Sequence, residues 1–165
     1  MMISKKVILL GKYGVGKTSL IRQYVYSQFS EEYLTTIGVK IDKKILEING
    51  VTINLLIWDI AGESAQVKVP ATYKMGAHAI IYVFDVTRPA TYEHLKEEVE
   101  QLNSDLPRVP MWVVGNKSDL LLENEVEEVK TQVPVKTDFM TSAKMATHVA
   151  DLFMKVAEHF VNHVK

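Results

Sequence analysis

The chain has 165 residues, 47% of them hydrophobic and 24% charged, with a net charge of −1. That length predicts one domain with a substantial core, and the charge balance offers no basic footprint for nucleic acid. With no cysteine, disulfides, thiolate metal sites, cysteine catalysis and attachment of a lipid to these residues through sulfur are excluded.

No apolar run approaches membrane-spanning length, and the segment before Gly11 is too short for a signal peptide. A cytoplasmic, monomeric protein with no membrane anchor in these residues is expected, and a lipidated tail beyond them stays open.

Residues 6–10, Lys-Val-Ile-Leu-Leu, read as a buried strand, and residues 19–26 as a helix. Between them runs Gly11-Lys12-Tyr13-Gly14-Val15-Gly16-Lys17-Thr18, a Gly, four residues, then Gly-Lys-Thr. Strand, glycine loop and helix are the setting a phosphate-binding P-loop needs. The glycines let the backbone turn its amides into one concavity. The helix aims free N–H groups and its positive dipole end at the same anion. Lys17 places an ammonium against the outer phosphates, and the Thr18 hydroxyl is an oxygen ligand for magnesium. The pattern predicts nucleoside triphosphate binding without saying which base.

Residues 29–38 are polar and aperiodic, hence a loop. Val39 to Ile48 and Val51 to Trp58 flank Asn49-Gly50, a hairpin signal because both residues tolerate positive φ. Residues 59–76 lack a clean period and read as a loop with a short, imperfect helix. Residues 79–84 form a continuous apolar strand. Tyr92, Leu95, Val99, Leu102 and Leu106 recur at helical spacing, and residues 111–114 are the next core strand. Val126, Val129 and Val133 suggest a short helix ended by Pro134, with a strand over 135–140. Val149, Leu152, Phe153, Val156, Ala157, Phe160, Val161 and Val164 form the stripe of a final helix. The alternation predicts an α/β fold, a mainly parallel sheet with one antiparallel pair and helices on both faces.

Three further stretches carry chemistry. Asp59-Ile60-Ala61-Gly62 follows an apolar strand beside the P-loop, so its carboxylate suits magnesium at one remove, through water, and Gly62 can bring an N–H to the γ-phosphate. Asn116-Lys117-Ser118-Asp119 follows the strand at 111–114. The Asp119 carboxylate can accept from guanine N1–H and the 2-amino group, a pair adenine cannot supply. Lys117 would pack its stem over the base and Asn116 would tie this loop to the P-loop. Ala143, within Thr141-Ser142-Ala143-Lys144, can supply an N–H to guanine O6.

Together these residues resemble a small GTPase of the Ras superfamily, end to end. Thr36-Ile37-Gly38-Val39, Trp58-Asp59 and Asp85-Val86-Thr87 resemble its Rab branch. The resemblance implies a six-stranded P-loop NTPase G domain over residues 1–165, binding GDP or GTP with Mg2+ and hydrolysing GTP slowly. It implies a nucleotide-binding set of Gly11, Tyr13, Gly14, Val15, Gly16, Lys17, Thr18, Ser19, Phe29, Tyr33, Thr36, Gly62, Asn116, Lys117, Asp119, Ser142, Ala143 and Lys144. Thr18 and Thr36 would ligate magnesium, with Asp59 acting through water. Phe29 would stand beside guanine and Tyr33 would close over the phosphates. Lys17, Thr36, Gly62 and Glu63 would carry hydrolysis. Switch I (29–39) and switch II (59–76) would meet protein effectors and regulators, and loss of the γ-phosphate would release both loops.

The sequence also departs from that family. Glu63 stands where most members have the glutamine that orients the attacking water. A carboxylate can accept from that water but cannot donate to phosphoryl oxygens. Tyr13 replaces a small residue beside the γ-phosphate, where its ring would either exclude an inserted arginine finger, the slightly favoured reading, or bring its phenol to the nucleotide. Ile41, Trp58 and Tyr73 occupy the aromatic triad that reads Rab effectors, with Ile in the place of Phe. These departures leave a second reading, a GTP-bound interaction scaffold with little turnover. A metabolic P-loop kinase or ATPase is disfavoured by residues 116–119.

His159 and His163, spaced i, i+4, lack a third metal ligand at a telling spacing. Glu93, Glu97, Glu98 and Glu100 read as the solvated face of a helix. Met75, Met111, Met140, Met145 and Met154 read as core or boundary residues.

Overall fold

The apolar run at 6–10 is the buried end of a longer strand. In the computed structural model, which describes residues 1–32, 35–64 and 68–164, β1 spans Met2–Gly11. Its first residues alternate between exposed and half-buried, so no apolar run announces them. They are strand because their backbone pairs in parallel with β3 (Val51–Ile60), from Met2 beside Thr52 onward. β2 (Val39–Ile48) is antiparallel to β3 through Asn49-Gly50, at φ 50° and 78°. Both positive values are those the turn chemistry predicts.

β4 (Ala79–Asp85), β5 (Met111–Asn116) and β6 (Phe139–Met140) complete a six-stranded sheet in the order β2-β3-β1-β4-β5-β6, with every pair except β2–β3 parallel. Helices α1 (Lys17–Tyr26), α3 (Leu95–Asp105), α4 (Glu123–Gln132) and α5 (Val149–Asn162) cover the faces, and α2 (Ala71–Lys74) is one turn. The predicted fold class is therefore the observed one.

Period-two alternation sorts the core. Val7 and Leu9 of β1 face a cluster with Leu20 and Ile21 of α1 and Leu152, Phe153 and Val156 of α5. Ile8 and Leu10 face the other side, with Leu95 and Leu102 of α3 and Val129 of α4. β4 is buried at every position, as a strand covered on both faces must be.

Several expectations need correction. β6 has two residues rather than the six of 135–140, because only Phe139 and Met140 pair with β5, beside Val114 and Gly115. Before them, Asp138 N donates to Val113 O without extending the ladder, and Val135 packs against the core beside α3 and α4. Glu98 is not on a solvated face, since its carboxylate pairs with Lys12 and accepts from Tyr82 Oη. Met75, Met145 and Met154 are exposed; only Met140 of the five is buried core.

Candidate functional site

All five parallel strands end at one edge of the sheet, where α/β folds place their ligands. Gly11, Ile60, Asp85, Asn116 and Met140 are the terminal residues there. Between the loops that follow lies a cleft of about 260 Å³. Its lining brings together Tyr13, Gly14, Gly16, Lys17, Thr18, Ser19, Phe29, Thr36, Asp59, Gly62, Asn116, Lys117, Asp119, Ala143 and Lys144. Five stretches, as far apart in sequence as Tyr13 and Lys144, thus converge on one cleft.

The P-loop floor depends on absent side chains. Gly16 caps α1 at φ 99°, and a Cβ there would stand 2.4 Å from Asn116 Nδ2. Gly62 lies against the same loop, where a Cβ would stand 2.6 Å from Tyr13 Cα. Both are glycine because backbone and side chain already fill the space.

Lys17 is the first residue of α1 and only 6% exposed. Burial pushes its pKa down, opposed by the negative charges of Asp59 and Glu63. A buried ammonium at a helix N-terminus is stabilised by an anion.

Beside it sits a set of hard oxygens. Thr18 Oγ1 and Thr36 Oγ1 lie 2.7 Å apart, and both donate to Asp59 Oδ2, at 2.6 and 3.1 Å. Asp59 is 1% exposed, and its Oδ1 is buried without a hydrogen-bond partner. Burial raises its pKa; the bonds from Thr18 and Thr36 and the charge of Lys17 oppose that rise. Two hydroxyls and a carboxylate with an unsatisfied oxygen fit an oxygen-preferring divalent cation.

The far end is built by β5. Lys117, in the left-handed region at φ 67°, sends Nζ to Gly14 O at 2.9 Å and to Asp85 Oδ2 at 2.9 Å. Asn116 donates from Nδ2 to Val15 O at 3.1 Å, and its Oδ1 accepts from Thr141 Oγ1 and Ala143 N. Ser142 Oγ donates to Asp119 Oδ1 at 2.7 Å, fixing a carboxylate that faces the cleft.

Some predicted residues support the cleft from behind. Gly11, Val15 and Ser142 do not line it. Val15 is buried core, and Ser142 acts by holding Asp119. Tyr33 lies outside the described residues. Glu63 lines a neighbouring cleft with Val69, Tyr82, Glu98 and Gln101. Its backbone bridges to the P-loop, donating to Gly11 O at 3.2 Å and accepting from Tyr13 N at 3.1 Å. Its carboxylate faces Val69 N at 3.5 Å.

Ser30, Glu31, Glu32 and Leu120 line the cleft without having been predicted. Leu120 directly follows Asp119 and the others directly follow Phe29, so adjacency was the available signal. Glu31 pairs with Lys144 at 2.7 Å, joining the loop after α1 to the loop after β6 across the cleft. His159 and His163 stack on each other beside Trp112. No cluster of three or more His, Cys, Asp or Glu suited to a metal occurs among the described residues, and none of their helices is long and apolar enough to cross a membrane.

Comparison with known proteins agrees with this geometry. The Ras family model matches residues 6–162. The chain is 37% identical over 161 residues to Ras-related protein RABF2a of Arabidopsis thaliana, covering 94% of this chain and 80% of the relative. It is 39% identical over 160 residues to RABF2b of the same plant, with the same coverage of each. To Ras-related protein Rab-1A of Dictyostelium discoideum it is 35% identical over 164 residues, covering 96% and 81%. With that match, those relatives and a P-loop cleft at the carboxyl edge of its sheet, the chain belongs to the Ras family of small GTPases and is Rab-like.

Proposed function

We propose that residues 1–165 form a single G domain, a cytoplasmic guanine-nucleotide switch that binds GDP or GTP in this cleft, hydrolyses GTP slowly and signals through switch I and switch II as a monomer. The observation that carries the reading is the convergence in one cleft of three things: a buried Lys17 at a helix N-terminus, the Thr18–Thr36–Asp59 oxygen set, and an Asp119 carboxylate held by Ser142.

The roles follow from chemistry. P-loop amides and Lys17 bind the phosphates. Thr18 and Thr36 would hold a magnesium ion, with Asp59 acting through water, and the ion would neutralise phosphate charge when bound. Asp119 selects guanine, and Lys117 and Ala143 complete the base pocket. Thr36 and the Gly62 amide report the γ-phosphate, so each switch is tied to the nucleotide at one residue. Ile41, Trp58 and Tyr73, with Ile41 opposite Trp58 in the β2–β3 register, form the surface offered to effectors and regulators.

Glu63 favours a second reading, a GTP-loaded scaffold with little turnover. Its carboxylate faces Val69 in the neighbouring cleft, so it must rotate before it can meet an attacking water. Single-turnover GTP hydrolysis by the parent, Glu63→Gln and Tyr13→Gly tests both readings. The switch predicts slow turnover in the parent and a rate that changes at one or both positions. Bound GTP with no turnover in the parent selects the scaffold.

The Glu31–Lys144 pair gives a further prediction. It spans the cleft, but its side chains are 74% and 46% exposed, so solvent screens it. Glu31→Gln is expected to speed release of a fluorescent GDP analogue about two- to threefold. Raising ionic strength is expected to speed release from the parent more than from the variant. Equal rates in both at low salt would remove the pair from nucleotide retention.

A further inference from the structure

We propose that Arg88 is a positioning residue for the outer phosphates, acting through the peptide unit that joins Tyr13 to Gly14; the inference rests on the nucleotide reading above. Arg88 lies just beyond β4, outside every motif that marks the site.

Three consecutive P-loop carbonyls each accept a hydrogen bond from a different side chain. Arg88 Nη1 donates to Tyr13 O at 3.1 Å, Lys117 Nζ to Gly14 O at 2.9 Å, and Asn116 Nδ2 to Val15 O at 3.1 Å. In a planar trans peptide, the C=O of one residue and the N–H of the next point in opposite directions. Drawing carbonyls 13, 14 and 15 outward therefore turns the N–H groups of Gly14, Val15 and Gly16 toward the opposite side, where the cleft lies. Asn116 and Lys117 do this for the inner two peptides. Arg88 does it for the outermost.

A buried carboxylate lies within ion-pair range of Arg88. Asp85, at the end of β4, is fully buried. Its Oδ1 accepts from Thr87 N and Thr87 Oγ1, at 2.8 and 2.6 Å. Its Oδ2 faces Lys117 Nζ at 2.9 Å and Arg88 Nη1 at 3.8 Å. A buried carboxylate requires such partners. Two cations around one anion leave a net positive charge behind the P-loop, which favours phosphate on its other side.

The Tyr13–Gly14 peptide lies at the end where GTP and GDP differ. Gly62, assigned above to the γ-phosphate, packs directly on Tyr13, with only 2.6 Å between a Cβ on Gly62 and Tyr13 Cα. Gly16 and Lys17, where α1 begins, lie at the other end of the loop. Losing Arg88 frees the outer amide while the inner two stay aimed, so triphosphate binding suffers more than diphosphate binding.

The experiment is competition of a non-hydrolysable GTP analogue and of GDP against a fluorescent GDP analogue, with magnesium fixed, for the parent, Arg88→Ala, Arg88→Gln and Arg88→Lys. Arg88→Ala is expected to lower the triphosphate-to-diphosphate affinity ratio roughly three- to tenfold. Arg88→Lys, which keeps a charged donor, recovers part of that loss; Arg88→Gln, an uncharged donor, recovers less. The Arg88 side chain is 45% exposed, so these changes leave the core intact. An unchanged ratio, or equal loss of both nucleotides, overturns the assignment while leaving nucleotide binding standing. Failure of the parent to bind either nucleotide overturns the nucleotide reading, and this inference with it.

Discussion

Asp119→Asn is expected to weaken GTP binding by about 10²- to 10⁴-fold and to improve binding of xanthosine triphosphate. The carboxylate offers two acceptors, which match the N1–H and 2-amino donors of guanine. An asparagine amide offers one acceptor and one donor, matching the N1–H and 2-oxo group of xanthine. Because Ser142 Oγ donates to Asp119 Oδ1 at 2.7 Å, the amide oxygen can take over that bond and keep the side chain aimed. Asp119 is exposed rather than core, so the substitution perturbs recognition and not folding. Titration of both triphosphates against the parent and variant measures the exchange. Unchanged selectivity would remove Asp119 from the base pocket.

The elements that define this fold were legible where local chemistry and tertiary context agree. Asn49-Gly50 forces its turn whatever surrounds it, and the stripe from Val149 to Phe160 can bury only one face. β4 could be read because a strand covered on both sides leaves an unbroken apolar run. The ends of elements were less legible. Met2 to Lys5 are strand because β3 offers a parallel partner, and β6 is short because β5 pairs with only two of its residues. Pairing partners are properties of the assembled sheet and leave no local mark.

The site divides in the same way. Residues that would touch the nucleotide carry a recognisable order and spacing, so Lys17, Thr18, Thr36, Asp59, Asn116, Lys117 and Asp119 could be named from sequence and meet in one cleft. Residues that hold those in place have no such signature. Glu98 read as one acid among several on an amphipathic helix, yet it binds Lys12 of the P-loop and the Tyr82 hydroxyl. Glu31 read as loop polarity until Lys144 appeared opposite it. Glu63 was legible as a substitution but not as a side chain facing another cleft, because that depends on its backbone bridge to Lys12. Asp85 closes an apolar strand with an acid, a signal that a cation must lie near, though not that there would be two.

Replacing Lys17 tests how far the cleft sacrifices stability for binding. Lys17→Ala is expected to purify without nucleotide and to lose roughly one to two orders of magnitude in affinity, the range for a charge-assisted bond. Burial lowers the Lys17 pKa from its ordinary 10.5, so the folded protein without an anion holds this proton more weakly than the unfolded chain does. The ammonium therefore destabilises the nucleotide-free fold wherever both states are protonated, and that penalty vanishes as pH rises above 10.5. Lys17→Met keeps a long apolar stem and removes the charge. Its nucleotide-free form is expected to melt no lower than the parent's at pH 7, although it binds GDP as poorly as Lys17→Ala. Bound phosphate reverses the balance by supplying the counter-charge, so only the parent should gain strongly in melting temperature when GDP and magnesium are added. Full nucleotide retention by either variant would contradict the role given to Lys17. A nucleotide-free Lys17→Met protein that melts well below the parent would show that the buried ammonium supports the fold.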